Sequence, residues 1–97
     1  MTLNEFSATL NQQQPPAGSG IFLQALWHDA KGNWNKAHEL VQDEENKEGA
    51  WIHAYLHRKE GDLSNAGYWY RRANKSMPTV SLQQEWENIV TAFLAIV

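Results

Sequence analysis

The feature that most constrains this chain is an internal repeat. Residues 25–37 align with residues 54–66 at a shift of 29 positions, and the first alanine, the histidine, the glycine and the last alanine are identical in the two copies. Chance would give roughly one identity over such a window, so the alignment indicates a duplicated structural unit. Small residues on either side of a Gly-Asx pair are typical of two antiparallel helices that approach closely around a tight turn.

Apolar residues recur every three or four positions through the repeated region, which predicts helices and no strands. Gly32 and Gly61 are expected to be left-handed caps, with Asn33 and Asp62 capping the helices that follow them. Pro78 is expected to end the last helix of this region, because proline cannot continue a helix. The predicted helices cover residues 21–31, 34–41, 50–57 and 63–77.

A short helix precedes the repeats and a longer one follows them. Thr2 with Glu5, and Ser81 with Gln84, each have the spacing of a capping box at a helix start. Residues 13–20 hold two prolines and two glycines, which predicts a tether without regular structure. The predicted fold class is therefore all-α, in one domain over residues 1–97. It divides into a short N-terminal helix (1–12), the tether (13–20), two helix-turn-helix repeats (21–78) and a C-terminal capping helix (79–97).

The second unit resembles a tetratricopeptide repeat. That family places a small residue, a Gly-Asx turn, a second alanine, an aromatic residue and a terminal proline in order, and here these are Ala54, Gly61-Asp62, Ala66, Tyr70 and Pro78. The first unit is similar without the proline, and its period of 29 residues is shorter than the 34 of the family. The segments 51–62 and 68–73 also resemble a set of short bacterial proteins, a likeness that implies no activity.

The resemblance implies tetratricopeptide-like antiparallel helical hairpins whose first helices line a groove for a segment of a partner protein. Tyrosine and arginine are enriched among residues that dominate binding energy, and this chain has Tyr55 and Arg58 at positions that would line the groove. A plain solvated face is the alternative interpretation of these positions. The groove positions implied by the resemblance are Leu26, Asp29, Tyr55, Arg58 and Lys59.

Composition and charge exclude several classes of function. Eight Lys and Arg against eleven Asp and Glu give a net charge of −3, which disfavours nucleic acid and anionic membranes as partners. The aromatic and basic run 68–72 does not change this, because helical spacing places Trp69 and Tyr70 in a core stripe. The absence of cysteine excludes disulfides, Cys-ligated zinc and thiol catalysis. The first basic residue is Lys31, so we expect neither a secretory nor a transit peptide, and we expect a cytoplasmic protein. The sequence shows no Ser-His-Asp order, phosphate loop or dinucleotide fingerprint, so we expect a non-enzymatic protein without a cofactor.

Two histidines carry the alternative hypothesis. His53 and His57 are four residues apart and project from one helical face, which is the spacing with which a helix holds a divalent metal. His28, the repeat equivalent of His57, is the candidate third ligand. The zinc-protease pattern needs a glutamate directly after the first histidine, where this chain has Ala54. We favour a buried structural pair, and a small-molecule or metal-binding module using His28, His53 and His57 is the alternative.

The last helix has more apolar surface than one contact can bury. From Ile89 onward only Thr91 is polar, whereas a helix packed on one side buries a single stripe. The remaining apolar surface can be covered by the first helix, through Leu3, Phe6 and Leu10, or by a second copy of the chain. We expect a homodimer through the C-terminal helix, because the proline-rich tether gives the first helix little guarantee of docking.

Overall fold

The fold is all-helical, as the sequence predicts. The computed structural model describes residues 1–96, and Val97, which the sequence assigns to the last apolar stripe, lies outside the described residues. Within residues 1–96 there is no strand, and no helix has the length and apolar character needed to cross a membrane. The helices are α1 (Leu3–Ala8, continued by a 3₁₀ turn over Thr9–Asn11), α2 (Ile21–Ala30), α3 (Trp34–Val41), α4 (Lys47–Glu60), α5 (Leu63–Arg72) and α6 (Leu82–Ile96).

The two Gly-Asx turns have the same geometry, as expected of a duplication. Gly32 and Gly61 have φ values of 85° and 91°, in the left-handed region where only glycine is free of strain. In each turn the amide after the glycine donates a hydrogen bond to the carbonyl five residues earlier, at 2.9 and 3.0 Å. The side chains of Asn33 and Asp62 then cap α3 and α5. The predicted caps are confirmed.

Helix α5 ends five residues before the predicted boundary. The apolar spacing extends it to Met77, but the helix stops at Arg72 and Met77 is exposed. Asn74 has a φ of 60°, and the amide of Lys75 donates to the carbonyl five residues earlier at 2.9 Å. Asparagine is the residue besides glycine that most readily adopts this left-handed cap, so it ends the helix before Pro78 is reached.

Helix α4 begins three residues earlier than predicted. Asn46 caps it by accepting a hydrogen bond from the amide of Gly49 at 2.8 Å. Gly49 lies so close to the preceding loop that a Cβ atom there would be 2.8 Å from the backbone oxygen of Glu44. Glycine is therefore required for this close approach, although it weakens a helix elsewhere.

The two predicted capping boxes differ in the structure. The Thr2 box is complete, because its side chain accepts from the Glu5 amide and the Glu5 carboxylate accepts from the Thr2 amide. At the start of α6 the Ser81 hydroxyl accepts from the Gln84 amide, but the Gln84 side chain donates to Asn88 instead. The second box is thus only half formed.

Helix α6 lies across α2 and α4 and joins them into one core. α2 packs along α3, α4 packs along α5, and α3 also contacts α4. The Trp86 indole of α6 donates to the Leu26 carbonyl of α2 at 2.9 Å. Ala54 and Ala66 are fully buried, which fits their predicted place where α4 and α5 approach closely. The buried apolar residues on the shared core include Leu23, Leu26, Trp27, Val41, Ile52, Leu56, Trp86, Ile89, Val90 and Phe93.

The first helix docks onto this core, contrary to the expectation from the tether. Phe6 is completely buried, with its ring centroid 6.1 Å from that of Trp86. Thr9 accepts a hydrogen bond from the Trp27 indole at 3.2 Å. The ammonium group of Lys31 donates to the Leu10 carbonyl at 2.7 Å, which fixes the end of the 3₁₀ turn beside α2.

Candidate functional site

Three of the five predicted groove residues form a buried group between α2 and α4. Leu26, Asp29 and Tyr55 are each at most 2% exposed. The Tyr55 hydroxyl donates to Asp29 Oδ2 at 2.9 Å, and Lys59 Nζ donates to Asp29 Oδ1 at the same distance. Burial, followed by the Asp29 charge, raises the pKa of Tyr55 above its ordinary value, so this hydroxyl remains a donor.

The fourth predicted groove residue, Arg58, is engaged by α6. Its guanidinium donates to Glu85 Oε1 at 2.8 Å and to the Val80 carbonyl. Glu85 is 2% exposed and also accepts from the Tyr70 hydroxyl at 2.6 Å. Burial and the hydrogen bond to Glu85 raise the pKa of Tyr70. Of the five predicted residues only Lys59 is exposed, and its role in partner binding, like that of the others, stays a prediction.

An apolar groove lies at the other end of these helices, where the C-terminal end of α6 meets the starts of α2 and α4. Phe22 and Phe93 form its floor, with their rings stacked at 5.4 Å. Ile96 stands at its edge and is 67% exposed. The groove encloses about 380 Å³ between α2, α6 and the start of α4, and we call it the α6 groove. Its lining residues are Gly20, Phe22, Leu23, Asn46, Glu48, Phe93 and Ile96.

Three histidines meet where α3 faces α4, and we call His38, His53 and His57 the histidine cluster. His38 Nε2 and His53 Nε2 are 3.0 Å apart. One ring nitrogen from each of the three lies within 4.8 Å of the others. His53 and His57 thus share one face, as their spacing predicts. His28, the third ligand expected from the repeat, does not join them: its ring lies edge-on to Trp27, and His38 takes its place.

The histidine cluster is enclosed by aromatic rings. Trp34 stacks on His38 at 5.0 Å, and Trp69 stacks on His53 at 4.1 Å. Burial is the main reason that the pKa of His53 falls to about 4, and the nearby His38, His57 and Arg72 add to it. Burial also lowers the pKa of His38. His53 is therefore neutral at pH 7, and its Nε2 and that of His38 can share at most one proton between them.

His57 has a carboxylate partner that sets its tautomer. Its Nδ1 lies 2.6 Å from Glu60 Oε2, and a carboxylate can only accept, so Nδ1 carries the proton. The Nε2 atom of His57 lies 3.4 Å from the Asn65 side-chain amide, which donates to it. His53 differs, because its Nδ1 atom is buried and has no hydrogen-bond partner within residues 1–96.

His38 is the residue of this cluster that sequence reasoning missed. The available signal was the spacing of four between Trp34 and His38, which matches the spacing of four between His53 and His57. In an antiparallel contact two such pairs meet side by side, and here the Trp34 indole donates to the Leu56 carbonyl at 2.8 Å. The repeat instead directed attention to His28, which lies on the other helix of its unit.

Comparisons of the chain with protein-family models, with curated proteins and with solved structures find no match.

Proposed function

We propose that this chain is a non-enzymatic protein-interaction module with a tetratricopeptide-like architecture. In this proposal α2 with α3 and α4 with α5 are the two helical hairpins, and α6 is the capping helix. The matched left-handed turns and the packing within each pair support it. The two buried carboxylates, Asp29 and Glu85, support a structural role over a catalytic one, because each accepts hydrogen bonds from a tyrosine and a cation of the fold.

The docking surface in this proposal is the α6 groove. The inner face of the two hairpins, where the family resemblance implies a partner segment, is already covered by Trp86 and Glu85 of α6. The observation that carries the proposal is the exposed Ile96 beside a groove floored by Phe22 and Phe93. Burying an isoleucine side chain contributes roughly 1.5 to 3 kcal/mol, so covering this surface is favourable.

The occupant we propose is a second copy of the chain. The exposed Ile96 and the groove that can receive it belong to the same surface, so a two-fold axis can place each Ile96 in the other copy's groove. The rim is also self-complementary in charge, because Glu48 lines this groove while Lys47 and Lys75 line the cleft that continues it. Two copies related by a two-fold axis can then pair acidic with basic rim residues.

Light scattering coupled to size exclusion tests this proposal at tens of micromolar. The wild-type chain is expected at twice the mass of one chain, and Ile96→Asp at the mass of one chain with unchanged helical circular dichroism. Leu63→Asp is the matched control, because Leu63 is 58% exposed at the start of α5 and does not line the groove. It is expected to remain dimeric.

Two outcomes would contradict the proposal. A wild-type chain that stays monomeric at the highest soluble concentration refutes self-association. A dimer that survives Ile96→Asp but not Leu63→Asp places the interface elsewhere.

A further inference from the structure

We propose that the histidine cluster binds one divalent transition-metal ion of the Zn²⁺ type, held by imidazole nitrogens of His38, His53 and His57. This inference is independent of the α6 groove, since the cluster lies between α3 and α4. Three imidazoles that converge from two helices are a ligand set that suits zinc, cobalt, nickel and copper.

The distances fit this ion class. Zinc–nitrogen bonds of about 2.0–2.1 Å in a tetrahedron place ligand nitrogens about 3.3 Å apart. The Nε2 atoms of His38 and His53 are 3.0 Å apart, and a nitrogen of His57 lies within 4.8 Å of both. To reach ligand spacing, the His57 nitrogen therefore has to approach the other two by at most about 1.5 Å.

The protonation states fit as well. Metal binding requires a ring nitrogen that carries no proton. The Glu60 carboxylate holds the proton of His57 on Nδ1, so Nε2 is the nitrogen with the lone pair, and a metal ion there would replace its 3.4 Å hydrogen bond from the Asn65 amide. A carboxylate behind a ligating histidine orients the ring and raises its basicity, as in many zinc sites. The Nδ1 atom of His53 has no such partner, so its bond to the ion lacks this support.

A second set of ligands shares one member with the cluster. His57, Glu60 and Asp62 also bring potential ligand atoms within 4.8 Å of one another. Both of these carboxylates are exposed, and Asp62 already caps α5 by accepting from the Asn65 amide. In addition, Glu60 Oε2 accepts the hydrogen bond from His57 Nδ1. The half-buried imidazole of His38 and the buried imidazole of His53 hydrogen-bond only to each other among residues 1–96, which favours the histidine cluster.

Isothermal titration with Zn²⁺, on the full chain without an affinity tag and after treatment with chelator, tests the proposal. One Zn²⁺ per chain is expected. His38→Gln, at a half-buried position, should weaken binding at least tenfold. His28→Gln is the matched control, because it removes a histidine outside the cluster, and its affinity should equal that of the wild type. Glu60→Gln should weaken binding roughly 10- to 100-fold without abolishing it.

A spectroscopic measurement keeps the test independent of variant stability. Co²⁺ added to the wild-type chain should give the intense visible absorption of a four-coordinate ion, with the three histidines and a water as ligands, and equimolar Zn²⁺ should remove it. The proposal is overturned if the wild type shows no saturable Zn²⁺ binding, or if His38→Gln and His28→Gln bind alike. It is also overturned if Glu60→Gln abolishes binding while His38→Gln leaves it intact, because the ion would then lie in the second set.

Discussion

Glu85 is the residue whose replacement tests the packing of α6 most directly. Its buried carboxylate accepts from the Tyr70 hydroxyl of α5 and from the Arg58 guanidinium of α4, so it links three helices. Glu85→Ala would leave the buried hydroxyl without an acceptor and the cation without its counter-charge. Removing one partner of a buried charged pair costs about 3–5 kcal/mol.

The lower end of that range applies here. The Arg58 side chain is 16% exposed and keeps its hydrogen bond to the Val80 carbonyl, so it is not fully stranded. We therefore expect Glu85→Ala to lower the free energy of unfolding by about 3 kcal/mol, a large part of the roughly 5–15 kcal/mol typical of a domain. With a urea dependence of about 1.5 kcal/mol per molar, the midpoint should fall by about 2 M.

Urea unfolding followed by circular dichroism measures this effect, and a milder variant protects against loss of folding. Glu85→Gln keeps one oxygen for Tyr70 but removes the charge that faces Arg58, so we expect a loss of about 1.5–2 kcal/mol. Glu87→Gln makes the same change two residues further along α6, where the carboxylate accepts an exposed hydrogen bond from Gln83. Its cost should stay below about 0.5 kcal/mol. Equal midpoints for Glu85→Gln and Glu87→Gln would refute the reasoning.

Three further predictions concern the helix contacts and pH. Gly49→Ala should destabilise by roughly 1–3 kcal/mol, because the new methyl group meets backbone 2.8 Å away. Gly67→Ala in α5 should stabilise the fold by roughly 0.5–1 kcal/mol, because the nearest atom to the new methyl group is 3.6 Å away. Melting temperatures that shift in the same direction for Gly49→Ala and Gly67→Ala would contradict this. Ala66→Leu should overpack the contact of α4 with α5 and lower the free energy of unfolding by roughly 1–3 kcal/mol, and an unchanged urea midpoint would count against that contact. In the presence of chelator, the free energy of unfolding of the wild type should fall by roughly 3 kcal/mol from pH 6.5 to pH 4. The reason is that His53 takes up a proton in the unfolded chain, whereas in the fold it faces His38, His57 and Arg72 and its pKa is only about 4. His53→Phe should lose less over the same range, and parallel urea midpoints for the two chains would contradict the reasoning.

The two Gly-Asx turns could be predicted because caps depend on local interactions. Each turn consists of a glycine with positive φ and an Asn or Asp whose side chain accepts from the amide three residues later. All of these groups lie within a few positions of one another, so Gly32-Asn33 and Gly61-Asp62 could be identified from the sequence. The early end of α5 at Arg72, which the left-handed Asn74 causes, was missed for a related reason. Asparagine adopts the left-handed conformation less often than glycine, so Asn74 is a weaker signal for a helix end, and the predicted end was placed just before Pro78 instead.

Contacts between helices could not be predicted in the same way, because they depend on how each helix is rotated and how far it slides along its neighbour. The spacing of four between His53 and His57 placed both on one face, but the facing partner depended on the register of α3 against α4, which brings in His38. The same applies to α6. Its amphipathic pattern indicated a helix with an apolar face that must be buried. Its position across α2 and α4 follows from the hydrogen bonds of Trp86 with Leu26 and of Glu85 with Arg58. Local patterns are encoded within one turn of chain, but a shared face exists only once two distant segments have packed together.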